Sequence, residues 1–149
     1  MLVAVPWKVT AVLVFGSMTL VATEVSIQMK DLPAGVQATV QKQIRSAKLL
    51  LLTKEIEKGR TYYEAETTVN GRSRDIMIDS AGAIFEVEQS VPLESVPAAA
   101  RNALLKRAGA GKVLKVESVT NNSTMHYEAV ILKNGKRSEV EVSADGIFK

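Results

Sequence analysis

The sequence predicts an α+β fold made of two tandem units, each with one helix packed on an antiparallel sheet of three or four strands. Three observations predict this fold: an internal repeat, a proline at the start of each predicted helix, and an Asn-Gly turn between two predicted strands of each unit. The predicted units span residues 31–88 and 95–149, and residues 1–23 precede them as a signal peptide or an uncleaved anchor.

The internal repeat keeps one constant offset without gaps. Tyr63-Glu64-Ala65 recurs as Tyr127-Glu128-Ala129, and the same offset relates Pro33 to Pro97 and Asn70-Gly71 to Asn134-Gly135. One register that aligns helix-start prolines, strand residues and turn glycines indicates a duplication. A unit this short buries little surface alone. We therefore expect the two copies to pack together, either as two subdomains or as one continuous curved sheet.

Each unit opens with a predicted helix. Asp31 and Ser95 are good N-cap residues, and each stands two positions before a proline, which the first helical turn tolerates. In the first helix, apolar residues recur every four positions on one face, at Val36, Val40 and Ile44. Glycines at positions 109 and 111 are expected to end the second helix.

Alternating runs between turn signals predict the strands. The predicted ranges are 48–57, 61–69, 72–79 and 83–88 in the first unit, and 112–120, 124–133, 136–143 and 147–149 in the second. Asn-Gly between two such runs favours a type I′ hairpin turn, since both central residues need positive φ. The alternation separates a face that meets the helix from an outer face. In the first unit, the residues predicted to face the helix are Tyr63, Ala65, Thr67, Ile76 and Ile78.

The outer face of the sheet is the predicted binding site. A sheet covered by one helix layer leaves its second face open to solvent, and a contiguous apolar patch there is typical of a binding surface. The strand alternation places seven candidate residues on this face: Leu49, Leu51, Tyr62, Met77, His126, Val130 and Leu132. The alternative is that the two copies, or two molecules in a dimer, bury this patch against each other.

The order of helix, strand, Tyr-Glu, Asn-Gly and a final glycine turn resembles the PepSY family, and more closely its PepSY-like, beta-lactamase-inhibitor-like branch. The residues that carry the resemblance are Pro33, Tyr63, Glu64, Gly71, Asp79 and Gly82, with Pro97, Tyr127, Glu128, Gly135, Asp145 and Gly146. The second copy departs from it at Ser143, which stands where the first has Asp79. The resemblance implies exported proteins of paired α+β units that inhibit or regulate peptidases, and a related inhibitor fold that grips its enzyme with a concave sheet. Since the shared residues are fold residues, no inhibitory residue carries over.

The N-terminal segment predicts export. After Lys8 comes an apolar run at residues 9–22, which suits a signal-peptide core and is shorter than the about 20 residues of a membrane span. We expect a periplasmic or secreted protein. An uncleaved anchor is the alternative, and this segment would then be the chain's one membrane contact.

Composition argues against catalysis, metals, cofactors and nucleic acid. The chain has no Cys, and His126 is its one His, so a metal or hydrolytic site would need His126 with carboxylates. The pairs Glu64 with Glu66 and Glu139 with Glu141 have the spacing of an ordinary solvated strand face. The 19 basic and 16 acidic residues are interspersed, without the basic stripe that tracks phosphates.

The sequence thus predicts an exported, non-enzymatic module whose sheet face binds a protein partner of unknown identity. A finer hypothesis is that it inhibits or regulates a peptidase or another extracytoplasmic enzyme. The alternative is a structural or sensory accessory domain that binds a small ligand or a cation at its acidic turns and strands.

Overall fold

A computed structural model describes residues 23–149, which form one antiparallel sheet of eight strands in chain order with two helices. The strands are β1 (Thr23–Ser26), β2 (Lys48–Glu57), β3 (Arg60–Val69), β4 (Arg72–Asp79), β5 (Ile84–Ser90), β6 (Lys112–Asn121), β7 (Thr124–Lys133) and β8 (Lys136–Val142). The helices are α1 (Ala34–Gln43) and α2 (Ala98–Ala108). Short 3-10 turns lie at Met29–Asp31, Ile44–Ser46 and Leu93–Ser95.

The predicted fold class, α+β with two tandem helix-on-sheet units, is wrong, because the chain forms a single eight-stranded antiparallel sheet with two short helices. Strand β5 pairs with β6 from Glu86 opposite Asn121 to Ser90 opposite Glu117, so the halves share one sheet. A half-sheet ending at β5 would expose a row of unpaired backbone groups, which this pairing satisfies. The offset of the sequence repeat also relates the start of α1 to that of α2, and the start of β2 to that of β6. The duplication and the unit boundaries stay predictions.

Both helices lie on the same face of the sheet, and each covers its own apolar cluster. Val36 and Val40 of α1 are fully buried against the residues predicted to face inward, which include Ile76 and Ile78. Leu104 of α2 is likewise buried in a second cluster of buried residues. We call the other side of the sheet the open face.

The helices begin one residue later than their prolines. Pro33 and Pro97 occupy the N-cap positions, without a side-chain hydrogen bond to the helix. The predicted caps Asp31 and Ser95 lie instead in the preceding 3-10 turns, where the Ser95 hydroxyl donates to the Pro92 carbonyl over 2.7 Å. The helices are therefore held mainly by packing on the sheet.

A bulge in β2 overturns the predicted position of Leu49. The register with β3 shifts between Leu49 and Leu51, so that Leu49 packs against the first apolar cluster. Leu51 then falls on the open face, opposite Glu66. An extra residue in one strand changes which side chains point to each face, and plain alternation could not show this.

The predicted signal peptide or anchor, residues 1–23, falls almost entirely outside the described part of the chain. Between residues 23 and 149, no helix has the length and apolarity that crossing a membrane would require.

Candidate functional site

The open face carries most of the acid in the protein. When the last residue of each strand is left out, cross-strand register places eleven of the 16 acidic residues on this face. They are Glu24, Glu55, Glu64, Glu66, Asp75, Glu86, Glu88, Glu117, Glu128, Glu139 and Glu141. The excess of basic residues in the whole chain therefore lies elsewhere, and the open face is strongly negative.

The predicted apolar patch is not a continuous surface. Leu51 is 37% exposed, and Met77, Val130 and Leu132 are half-buried. Met77 lies between Glu64 and Glu86, whereas Leu132 lies between Lys112 and Arg137. Tyr62 and His126 also belong to this face, but they are only 7% and 8% exposed. The apolar side chains thus lie between charged ones, and they offer small contacts within a charged surface.

Tyr62 is covered by an aromatic neighbour. Its ring centroid lies 5.0 Å from that of Phe85, with a tilt of 42° between the planes. Such pairs stabilise the fold by about 0.5–1.5 kcal/mol beyond the area they bury. Tyr62 is therefore part of the packing between strands, and it offers little exposed surface to a partner.

Carboxylates oppose one another directly on this face. Asp75 of β4 pairs with Glu88 of β5, and Glu117 of β6 pairs with Glu128 of β7. Glu128 also lies opposite Glu141 of β8. Like charges at directly opposite positions of an antiparallel pair repel each other and destabilise the ladder.

Burial and this repulsion raise several pKa values. Desolvation, and to a smaller extent the negative charge of Glu55, raises the pKa of Glu64 to about 8. Desolvation, and to a smaller extent the negative charge of Glu128, raises the pKa of Glu88 to about 7. Desolvation and the charge of Glu66 raise the pKa of Asp75 to about 6. The open face therefore gains negative charge as pH rises from about 6 to about 8.

Few cations of the protein neutralise this face. Among residues 23–149, the ion pairs to its eleven carboxylates come from Lys115, His126 and Lys149. Lys115 Nζ lies 2.7 Å from Glu117 Oε1, and Lys149 reaches Glu141 only at 4.0 Å. Among residues 23–149, most of the eleven carboxylates therefore have no ion-pair partner.

His126 lies between two carboxylates at the β7–β8 end of the face. Its Nε2 is 3.4 Å from Glu128 Oε1 and 3.7 Å from Glu141 Oε2, and its buried Nδ1 has no hydrogen-bond partner. Desolvation raises the pKa of Glu128, and the contact with His126 opposes this shift. These three groups could together hold a cation.

Two further carboxylate triads bring their oxygens within 4.8 Å of one another. One joins Glu24, Glu64 and Glu66, and the other joins Asp75, Glu88 and Glu117. Oxygen groups of this kind suit hard cations such as Ca²⁺. The second triad takes residues from both halves of the chain, so it exists only because β5 pairs with β6.

Sequence reasoning missed the acidic residues that β1, β2, β5 and β6 contribute to this face. Glu86, Glu88 and Glu117 occupy alternate positions in β5 and β6, and this alternation was a usable signal. Their meeting with Asp75 could not be found in this way, because it depends on which strands pair across the middle of the sheet.

Solved structures share this fold. A putative periplasmic protein from Bacteroides eggerthii has a TM-score of 0.66 at 20% identity, over 78% of this chain and 85% of that one. A DUF2874 family protein from Bacteroides ovatus has a TM-score of 0.63 at 18% identity, over 78% and 84%. A BLIP-like protein from Bacteroides fragilis has a TM-score of 0.60 at 18% identity, over 79% and 83%.

These similarities support a BLIP-like fold, in agreement with the inhibitor-like branch that the sequence resembles. At this level of identity they concern the fold alone. The PepSY-like name stays a prediction. No family model and no curated protein matches the sequence.

Proposed function

We propose that this protein is an exported, non-enzymatic binding module whose open face takes up a basic surface of a partner protein. The observation that carries the proposal is the concentration of eleven carboxylates on one face of the sheet, with few cations of the protein itself to neutralise them. Complementary charge speeds encounter and selects partners, and it suits a recognition surface better than a structural one.

Export is supported by the apolar segment at residues 9–22 and by the fold shared with putative periplasmic proteins. Binding is favoured over catalysis because the carboxylates lie on a broad sheet face. The side chains that alternate with them, Met77, Val130 and Leu51, would add apolar contacts at the centre of a charged interface.

Inhibition or regulation of a peptidase or another extracytoplasmic enzyme is the finer form of this proposal. It is supported by the fold shared with a BLIP-like protein. A sheet face that covers a basic rim beside an active site would block access by occlusion, without any residue entering the reaction.

Affinity capture from a cell-envelope extract tests this proposal. The purified protein serves as bait beside Glu86→Gln/Glu88→Gln, which removes two carboxyl groups from the centre of the open face. The matched control, Asp31→Asn/Glu94→Gln, removes two charges from the 3-10 turns outside the sheet. A captured protein is then purified, its affinity is measured by calorimetry at low and high salt, and any enzymatic activity is assayed with and without this chain.

We expect a basic partner whose affinity falls at least tenfold with the open-face variant and with added salt, and is unchanged with the control. A partner that binds both variants equally, or that binds independently of salt, would rule out recognition through the open face.

A second candidate function is the binding of a divalent cation by the open face. One observation favours it: the Thr53 hydroxyl is buried without a hydrogen-bond partner, opposite Glu64 and beside the Glu24–Glu64–Glu66 triad. An oxygen ligand in this position would complete a set that suits Ca²⁺. Millimolar calcium should then raise the thermal midpoint of the protein but not that of Glu64→Gln/Glu66→Gln.

A further inference from the structure

The opposite side of the sheet holds a cleft with the reverse charge. It measures about 710 Å³ and lies between α2, the ends of β7 and β8, and the C-terminal segment. Ligand sites in proteins have volumes of about 300–1,000 Å³ and combine apolar walls with a few polar groups. Lys106, Arg107 and Lys133 line this cleft, together with the apolar side chains of Ile131 and Phe148.

The three cations of the cleft are not neutralised by the protein. Within residues 23–149, no ion pair involves Lys106, Arg107 or Lys133. Arg107 instead lies over the Phe148 ring, 5.7 Å from its centroid. The C-terminus of α2 contributes a negative end of about half a charge, which three full positive charges outweigh.

The corresponding place in the first half of the chain is closed by the protein's own side chains. At the positions that the repeat relates to the cleft, Arg74 stands for Ser138 and Gln43 for Arg107. Arg74 Nη2 donates to Gln43 Oε1 over 3.0 Å and bridges the strand to the end of α1. In the second half, Ser138 replaces the arginine and Arg107 replaces the glutamine, so no such bridge spans the cleft.

Two further substitutions open the second half in the same way. Thr39 donates its hydroxyl to the Gly82 carbonyl over 2.6 Å, and Thr67 donates to the Arg74 carbonyl over 2.6 Å. Their counterparts in the cleft are Ala103 and Ile131, which cannot make these bonds. The same backbone framework is thus filled with polar contacts in one half, and in the other it leaves a basic space with apolar walls.

We propose that this cleft binds a small amphiphilic anion, with an anionic head group at Lys106, Arg107 and Lys133 and an apolar group against Ile131 and Phe148. The guanidinium of Arg107 and the ammonium groups of the two lysines suit a carboxylate, sulfonate or phosphate. The side chains of Ile131 and Phe148 form an apolar wall beside them. The site lies on the helix side of the sheet, so it is independent of the function proposed for the open face.

Fluorescence titration with 8-anilinonaphthalene-1-sulfonate, an aromatic anion, tests this proposal. The variant Lys106→Gln/Arg107→Gln removes two charges of the cleft from α2. The matched control, Lys42→Gln/Arg45→Gln, removes two cations from the corresponding end of the first helix. N-phenyl-1-naphthylamine serves as the uncharged probe, and octanoate and inorganic phosphate serve as competitors.

We expect one site for the sulfonate probe, with affinity reduced at least fivefold in the cleft variant and less than twofold in the control. Octanoate should displace the probe at lower concentration than phosphate, and amide resonances of Ala103, Ser138 and Gly146 should shift in spectra of the labelled protein. Equal affinity for the uncharged probe, equal loss in the control, or resonance shifts confined to the first half would overturn the proposal. Circular dichroism verifies that both variants remain folded.

Discussion

Asp75 lies directly opposite Glu88 across the β4–β5 ladder, and burial and like charge raise the pKa of both carboxyls, to about 6 and about 7. This pair lies beside Glu117 of β6, where the two halves of the chain join. A fold that places acids against each other at its centre has lower stability when all of them are ionised. The same arrangement is the basis of the proposed affinity of the open face for cationic groups.

The first prediction concerns the stability of the protein as a function of pH. Because the folded-state pKa values of Glu64, Glu88 and Asp75 are raised, the folded protein holds protons that the unfolded chain releases. The free energy of unfolding should therefore decrease as pH rises from about 4.5 to about 8. Urea unfolding at a series of pH values measures this; a stability that increases across this window would contradict the raised pKa values.

Neutralising one of these groups should remove part of that dependence. Glu64→Gln eliminates the carboxyl whose pKa is raised most, and it should stabilise the protein by about 1 kcal/mol near pH 8.5 and much less near pH 5. Glu94→Gln, in an exposed 3-10 turn, is the control and should have no comparable effect. An equal gain at both pH values would mean that charge is not the cause.

The core under α2 should be sensitive to cavity formation, and adjacent leucines make this testable. Leu104 is fully buried, whereas Leu105 is 47% exposed. Leu104→Ala should cost about 3 kcal/mol and Leu105→Ala about 0.5 kcal/mol. Because β5 and β6 join the halves, amide exchange should speed up in β3 of the first half as well as in β7. Faster exchange confined to the second half would indicate that the halves unfold separately.

Gly82 should not tolerate a side chain. Its φ is +94°, and a Cβ there would lie 2.6 Å from the carbonyl carbon and oxygen of Gly35 in α1. Gly82→Ala should cost about 2–3 kcal/mol, since the helix must move away from the turn. Gly71 has a similar φ of +78° but no atom within 4 Å, so Gly71→Ala should cost about 1 kcal/mol. Thermal unfolding of both variants measures the difference, and equal losses would assign the effect to φ alone.

Asp79 should stabilise the turn between β4 and β5. Its Oδ1 accepts hydrogen bonds from the backbone N–H groups of Ala81 and Ala83, each over 2.9 Å. Asp79→Ala should cost about 1–2 kcal/mol, and Asp79→Asn, which keeps an acceptor oxygen, should cost less. Chemical unfolding compares the two. If the asparagine variant loses as much stability as the alanine variant, the negative charge and not the hydrogen bonds holds the turn.

The amino-acid sequence by itself determined the local structure. Proline before the helices and Asn-Gly between the strands predicted α1, α2 and most strands to within a few residues, because caps, turns and alternation depend on neighbours along the chain. It also placed Tyr63, Ala65, Ile76 and Ile78 in the core, since a period of two residues in a strand fixes the face.

Tertiary structure decided what the local pattern could not. The pairing of β5 with β6 made one sheet of two predicted units, and the bulge after Leu49 moved that side chain into the core. Both features depend on contacts between distant residues, so the alternation of single strands does not show them. The acidic open face and the basic cleft arose in the same way: each collects charges from separate strands and helices, and only the assembled sheet brings them within reach of one another.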